Sequence, residues 1–287
     1  MKALTEQQVR DYRYNGYLFP LQALTPQEAA DALKALERSE AHLGAPLNKG
    51  EMKWRGATHI YLKWANDLVR HPRILDIVED VIGPDILVYW STFFIKDPNS
   101  PAFTAWHQDA TYFGVDPLEH VTAWVALSDA GRIAGCMDVA TQHGKPRQFH
   151  HEAKRLEHSI NGAGQEIVEP VPEQDVVAME LKAGECSLHH TLCLHRSAPN
   201  RASHRRVGFG ISYIPAHCRV TSEHRLYAQL VRGRDRWGHF ELLPDAPNAD
   251  FDPEAVALHE AAYAQFRKNY YEQERRHIAE FAGAANA

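Results

Sequence analysis

Polar and apolar positions change rhythm near residue 86. Before it, apolar residues recur at helical spacing. Thr5 and Gln8 form a capping-box pair ahead of Val9, Tyr12 and Leu18, which predicts a first helix. Thr25-Pro26-Gln27-Glu28 repeats the signature, with proline at the first helical position and an apolar-rich run from Ala29 to Leu36 behind it. Ile74, Leu75, Val78 and Ile82 share one face of a third predicted helix, Pro72 to Ile82, stopped by Gly83-Pro84. Residues 43–58 carry Gly44, Pro46, Gly50 and Gly56 without any period, and read as an irregular connection that crosses the surface or covers a site.

From Ile86 the period shortens. Ile86 to Ile95 is aromatic and β-branched, the composition of a buried strand. Residues 103–107, 120–128, 176–181, 186–195 and 206–214 are further predicted strands, parted by Pro, Gly, Asp and Asn turns. Strands at this spacing suit a sandwich or a double-sheet jelly roll. Residues 147–173 are polar, end in Glu169-Pro170-Val171-Pro172, and read as a long loop of the kind that includes lids. Helical spacing returns from Pro253 to about Phe281. There Ala255, Leu258, Ala262 and Phe266 make a stripe to be covered by the outside of the sheet or by a second copy of the chain, a homodimer. The predicted class is mainly β with flanking α. Residues 1–287 read as a single domain: a helical N-terminal region over residues 1–85, a jelly-roll core over 86–215 and a C-terminal extension over 216–287.

Bulk properties narrow the function. Apolar content of 44% and charged content of 24% are those of a globular protein. A net charge of −6 gives no support for a nucleic-acid partner. The first eight residues lack an apolar signal-peptide core, and no apolar run has bilayer-spanning length, so no membrane partner is expected. Cys136, Cys186, Cys193 and Cys218 form no C-x-x-C pair. A cytoplasmic, reducing location suits them, and suits a redox-labile metal.

Candidate chemistry centres on His107-Gln108-Asp109. By chance alone about one H-x-D triplet is expected in a chain with this much histidine, so the triplet needs its context. That context is His195 and the pair Arg205-Arg206. Two imidazoles and one carboxylate make a facial triad, the ligand set of non-haem Fe(II) oxygenases. On a strand, His107 and Asp109 would point to one face. Arg206, eleven residues beyond His195, would grip a carboxylate if its strand paired with that of His195. Arg205 and Arg206 point to opposite faces, so only one can be the clamp.

Other residues have blander readings. His189-His190 read as one pocket or core histidine and one facing away. His59, Tyr61, Trp64 and His143 are candidates for a polar pocket, each more often structural. Arg132, Arg147 and Arg219 read as surface groups. Trp90, Phe93 and Phe94 read as core, Cys193 as a buried strand residue, and Arg232 to Arg236 as a solvated loop or an ion-pair network.

Several stretches in one order carry a family resemblance. They are Arg70 to Leu75, Gly83-Pro84, Phe94 to Pro98, Trp106 to Asp109, Thr122-Ala123-Trp124, Gly135-Cys136-Met137, and His195 to Asn200 with Arg206. In these the chain resembles the phytanoyl-CoA dioxygenase family of Fe(II)/2-oxoglutarate oxygenases. The resemblance implies a double-stranded β-helix (cupin-like) core and flanking helices. It implies His107, Asp109 and His195 as iron ligands, Arg206 as the 2-oxoglutarate carboxylate clamp, and Trp124 and Thr92 as lining of that site. The implied activity is O2-dependent hydroxylation of an aliphatic C–H, with release of succinate and CO2. Asp109 supplies the carboxylate that halogenating relatives lack.

Two departures stand out. The family's Asn before Gly-Cys-Met is Ala134, and its Pro-Gly-Ser-His turn is replaced by Val139-Ala140-Thr141-Gln142-His143. A family lysine two residues before His59 is Ala57, although Lys53 is nearby. No Lys/Arg cluster flanks the motifs, so a small polar substrate is expected rather than an acyl-CoA. The alternatives are another cupin-like metal enzyme, an isomerase or Zn hydrolase, and a non-catalytic ligand-binding jelly roll.

Overall fold

The structure is a computed structural model that describes residues 1–153, 156–160 and 165–284. Some of the expected 147–173 loop therefore lies outside the described residues. The six described α-helices are α1 (Glu6–Asn15), α2 (Pro26–Leu43), α3 (Lys63–Val69), α4 (Pro72–Ile82), α5 (Ala110–Phe113) and α6 (Pro253–Ala284). The strands are β1 (Tyr17–Gln22), β2 (Ile86–Lys96), β3 (Thr104–His107), β4 (Val115–Asp116), β5 (Val121–Ala126), β6 (Met137–Ala140), β7 (His151–Ala153), β8 (Gln165–Ile167), β9 (Val176–Met179), β10 (Glu185–His190), β11 (Leu194–Ser197), β12 (Arg206–Pro215), β13 (Arg219–Val220), β14 (Tyr227–Arg232) and β15 (Glu241–Leu242).

Both expected capping boxes form. The Thr5 and Thr25 hydroxyls accept from the backbone N–H of Gln8 and Glu28, whose side chains accept in return. A seven-stranded sheet runs β1-β10-β5-β12-β2-β14-β15, and a four-stranded sheet runs β3-β11-β6-β9. All pairs within them are antiparallel except β14 with β15. This is the mainly β jelly roll with flanking helices that the sequence predicts. Residues of α2, α3 and α4 cover one face of the large sheet, where Leu36, Val69, Ile74 and Val78 join Phe93, Val125 and Phe209 in one core. The central β12 is buried along its whole length, as a strand covered on both faces must be.

Several expectations need correction. The expected segments do not coincide with the layers. β1 lies in the region read as helical and β14 in the region read as an extension, yet both belong to the large sheet. The predicted strand 186–195 is two strands, β10 and β11, in different sheets; Cys193 N–H closes the turn between them on His190 O. The stripe on α6, by contrast, packs on the sheet as the first of its two expected placements has it. Phe266 stacks on Trp90 at 3.6 Å and 11°, and Ala262 is buried with it against β2. The stripe is thus covered within the chain. No described helix is long and apolar enough to cross a membrane.

Candidate active site

Strands β3 and β11 bring the two histidines together. His107 is the register partner of His195, and their ring centroids are 4.0 Å apart. Each Nδ1–H donates to a backbone carbonyl two residues back, His107 to Ala105 O (2.9 Å) and His195 to Cys193 O (3.0 Å). That fixes each ring and leaves its Nε2 lone pair for a ligand. Asp109 arrives differently from the expectation. Its backbone is helical (φ −63°, ψ −31°), at the start of α5 and beyond the end of β3. It shares a site with His107 because the chain turns there, not because of strand alternation. One ligand atom from each of His107, Asp109 and His195 lies within 4.8 Å of the others.

Gln108 holds this turn. Its amide donates to Leu192 O and Arg147 O, its carbonyl accepts from Phe149 N–H, and its own N–H donates to His151 Nε2. The middle residue of the motif is therefore fully buried and spent on position. Thr122 Oγ1 donates to Asp109 Oδ2 at 3.1 Å, and His189 Nε2 lies 3.6 Å from the same oxygen. Burial lowers the pKa of His107 and of His195, keeping both neutral. Burial alone would raise Asp109, but His189 and His195 outweigh it and hold the carboxyl well below its usual range. Neutral imidazoles beside a carboxylate are the protonation states a divalent metal needs.

The triad opens into a cavity of about 180 Å³. Arg206 lines it and is 2% exposed. One guanidinium N–H donates to Gly135 O at 3.1 Å, and the plane lies over Trp124, 5.2 Å from the ring centroid. Its Nε has no partner although it is buried, and no carboxylate pairs with it among the described residues. Burial lowers its pKa to about 10, so it stays charged at neutral pH. Ser197 and Thr104 line the same end of the cavity, with hydroxyls 2.9 Å apart. Lys96, the register partner of Arg206, donates to Ser197 Oγ and Ala198 O. A buried guanidinium with an unsatisfied Nε, in a cavity that two hydroxyls also line, could seat an oxyanion. Trp124 and Thr92 also line the cavity. The expected route to this arrangement was wrong, however. Strands β11 and β12 do not pair; they belong to opposite sheets, and Arg206 reaches the cavity across the sandwich. Arg205 turns the other way, onto Glu40 and Asp97.

Most bland readings hold. His189 lines the cavity, whereas His190 caps the following turn by accepting from Leu192 N–H. His59 is bound to Ser91, Trp64 to Ser39 and Tyr61 to Trp54 O, all outside the cavity lining. His143 pairs with Asp175, Arg132 with Glu180, Arg147 with Glu169 and Arg219 with Asp116. Arg232 joins an ion-pair network with Asp76 and Glu79. Lys53 is engaged by Glu260. Cys193 is buried, and burial pushes its thiol up. Phe93 is core, stacked on Phe209.

Two features of the lining were not foreseen, the aromatic residues of β2 and the part played by α6. Trp90 and Phe94 line the cavity. Both irregular segments reach it, as the site-covering alternative given for each allowed, 43–58 through Met52, Arg55 and Gly56, and 147–173 through Ile160. A further part of the wall comes from α6, which contributes Tyr263, Phe266, Arg267, Tyr270 and Tyr271. Their spacing of three and four residues is the available signal, but it reads equally as any helix face. Two arginines therefore converge on a cavity that was expected to have no basic flank.

Comparison with known proteins agrees with this geometry. The profile of the family described as phytanoyl-CoA dioxygenase (PhyH) matches residues 12–208, and the chain belongs to that family. It is 25% identical over 70% of its length to a probable alpha-ketoglutarate-dependent hypophosphite dioxygenase of Stutzerimonas stutzeri, covering 66% of that protein. It is 28% identical over 59% of its length to a 1-deoxypentalenic acid 11-beta-hydroxylase of Streptomyces exfoliatus, covering 59% of it. The chain thus matches about three fifths to two thirds of the length of these curated relatives. Among solved structures, the apo form of the non-heme monooxygenase ThoJ superposes with a TM-score of 0.82. It is 32% identical, over 94% of this chain and 99% of that one.

Proposed function

We propose that this chain is an Fe(II)/2-oxoglutarate-dependent dioxygenase that hydroxylates an aliphatic C–H of a small molecule. The observation that carries the reading is the pairing of two features in one cavity. One is a His/Asp/His cluster in which both histidines are oriented by Nδ1 bonds to backbone carbonyls. The other is a buried guanidinium that pairs with no carboxylate among the described residues. An isomerase or Zn hydrolase would use the first and leave Arg206 without a purpose.

The residues fit the groups. His107, Asp109 and His195 would hold Fe(II), a donor set suited to that ion. When bound, the iron and 2-oxoglutarate together supply O2 activation coupled to oxidative decarboxylation, giving succinate, CO2 and a hydroxylated product. Arg206 would hold the distal carboxylate, with Ser197 and Thr104 as hydroxyl donors. Trp124 would form a wall of that seat beneath the guanidinium. Thr92 lines it from β2. Thr122 holds Asp109 so that its other oxygen faces the histidines. The aromatic walls exclude water from the reacting carbon. All four cysteines are buried free thiols, which suits a reducing, cytoplasmic setting.

The test is O2-dependent conversion of 2-oxoglutarate to succinate by the Fe(II)-loaded protein. Wild type should turn over, slowly without substrate, and Asp109→Ala should not. Equal rates in the two proteins would overturn the reading.

A further inference from the structure

We infer that the substrate is an oxyanion, a carboxylate or phosphoryl group, carried on an apolar, aromatic-compatible body, and that Arg55 and Arg267 read its charge. This rests on the oxygenase reading above and narrows its substrate class.

The cavity lining contains three arginines, Arg55, Arg206 and Arg267, and one acidic residue, Asp109. The ferrous ion and the 2-oxoglutarate dianion cancel in formal charge, and Asp109 cancels Arg206. Two guanidiniums, those of Arg55 and Arg267, are left over. Neither has an acidic partner among the described residues. Arg55 donates to Ile160 O at 3.2 Å. Arg267 donates to Tyr271 Oη at 2.7 Å and Tyr263 Oη at 3.4 Å, over the faces of both rings. Nearby acids are already engaged elsewhere: Glu260 and Glu51 take Lys53. Each bond that Arg55 and Arg267 make is to a neutral oxygen, so each cation is positioned without being neutralised. Burial lowers the pKa of Arg55, which makes an anion opposite it more favourable still.

The surface between the metal cluster and these cations is aromatic. Tyr112, 6.4 Å from His107 by ring centroids, stacks on Tyr270 at 4.6 Å and 5°. Tyr270 neighbours Tyr271, which holds Arg267. One turn earlier on α6, Phe266 lies 6.1 Å from Tyr270 by ring centroids and stacks on Trp90. A molecule that reaches from the cluster to the arginines therefore presents an apolar middle and an anionic end.

The experiment is anaerobic calorimetric titration of protein loaded with Fe(II) and 2-oxoglutarate, so that Arg206 is occupied. The probes share one body: 3-phenylpropanoate, 2-phenylethyl phosphate, 3-phenylpropanamide and 3-phenylpropylamine. One or both anions should bind, the better one roughly tenfold more tightly than the amide, with the amine weakest. Whichever anion leads tells carboxylate from phosphoryl. Arg55→Gln should remove most of the preference over the amide, and Arg267→Glu should turn it toward the amine. Circular dichroism confirms that each variant is folded. The inference fails if amide or amine binds as well as the anions, if no probe binds, or if Arg267→Glu keeps the anion preference. The visible band of the 2-oxoglutarate complex is recorded on the same samples. Its absence would count against the oxygenase reading, while the order of the probes still decides this one.

Discussion

His107 and His195 are cross-strand partners, and their rings sit 4.0 Å apart with both Nδ1 atoms tied to backbone carbonyls. A pair built into a ladder in this way is pre-organised before any metal arrives. Replacing His195 with Ala should weaken Fe(II) or Co(II) binding by more than the roughly 10–100-fold that loss of an outer partner costs. Thr122→Val, which strips Asp109 of its hydroxyl donor, should fall within that smaller range. Metal titration of the three proteins checks the order. Equal affinities would remove the triad.

Arg206 is buried, half-satisfied and, among the described residues, without an acid. Arg206→Ala should weaken 2-oxoglutarate binding by about 2–5 kcal/mol, the usual loss when one partner of a buried charge pair is truncated. Lysine should not restore it, because the geometry asks for a fork and not a point charge. Equilibrium binding of 2-oxoglutarate measures both.

Gly208 permits the indole of Trp124 to lie against β12. A Cβ built there would come within 1.8 Å of the Trp124 ring, far closer than any real contact. Gly208→Ala should therefore push Trp124 toward Arg206, cost about 1–3 kcal/mol of stability, and weaken 2-oxoglutarate more than it weakens metal. Chemical denaturation and the two titrations separate these effects.

His151 and His277 tie the 147–173 segment and α6 to the motif. His151 Nε2 accepts from Gln108 N–H, and His277 Nε2 accepts from His151 N–H. Burial lowers His151 to about 3 and His277 to about 4. Unfolded histidine titrates near 6.5, so the unfolded chain takes up protons first as pH falls. The stability these groups contribute is present above about pH 6.5 and is lost as pH drops toward their folded values. Thermal unfolding at pH 7 and pH 5 should show a larger drop for wild type than for His277→Gln, whose amide can still accept. Equal drops would contradict this.

Which residues meet is legible in the sequence because it rests on residue types in order: His107, Asp109, His195 and Arg206 line one cavity. Their geometry is less so. Residue order says nothing about which sheet a strand joins, so β11 and β12 read as neighbours although they face each other across the sandwich. Asp109 reads as a strand residue because alternation looks the same one residue past the strand's end. β1 escapes notice because Pro20 argues against a strand, and an edge position tolerates it. The tail helix is legible as a helix. Its Tyr263, Arg267 and Tyr270 cannot be placed at the cavity from sequence, since that depends on where the helix docks and not on its own period.

The central claim is that one cavity holds Fe(II) on the triad and 2-oxoglutarate on Arg206. Anaerobic addition of 2-oxoglutarate to Fe(II)-loaded protein tests it most directly, through the weak visible metal-to-ligand charge-transfer band. The band should appear in wild type, vanish in His195→Ala, and require far more 2-oxoglutarate in Arg206→Ala. Metal binding in wild type without any such band would contradict the account.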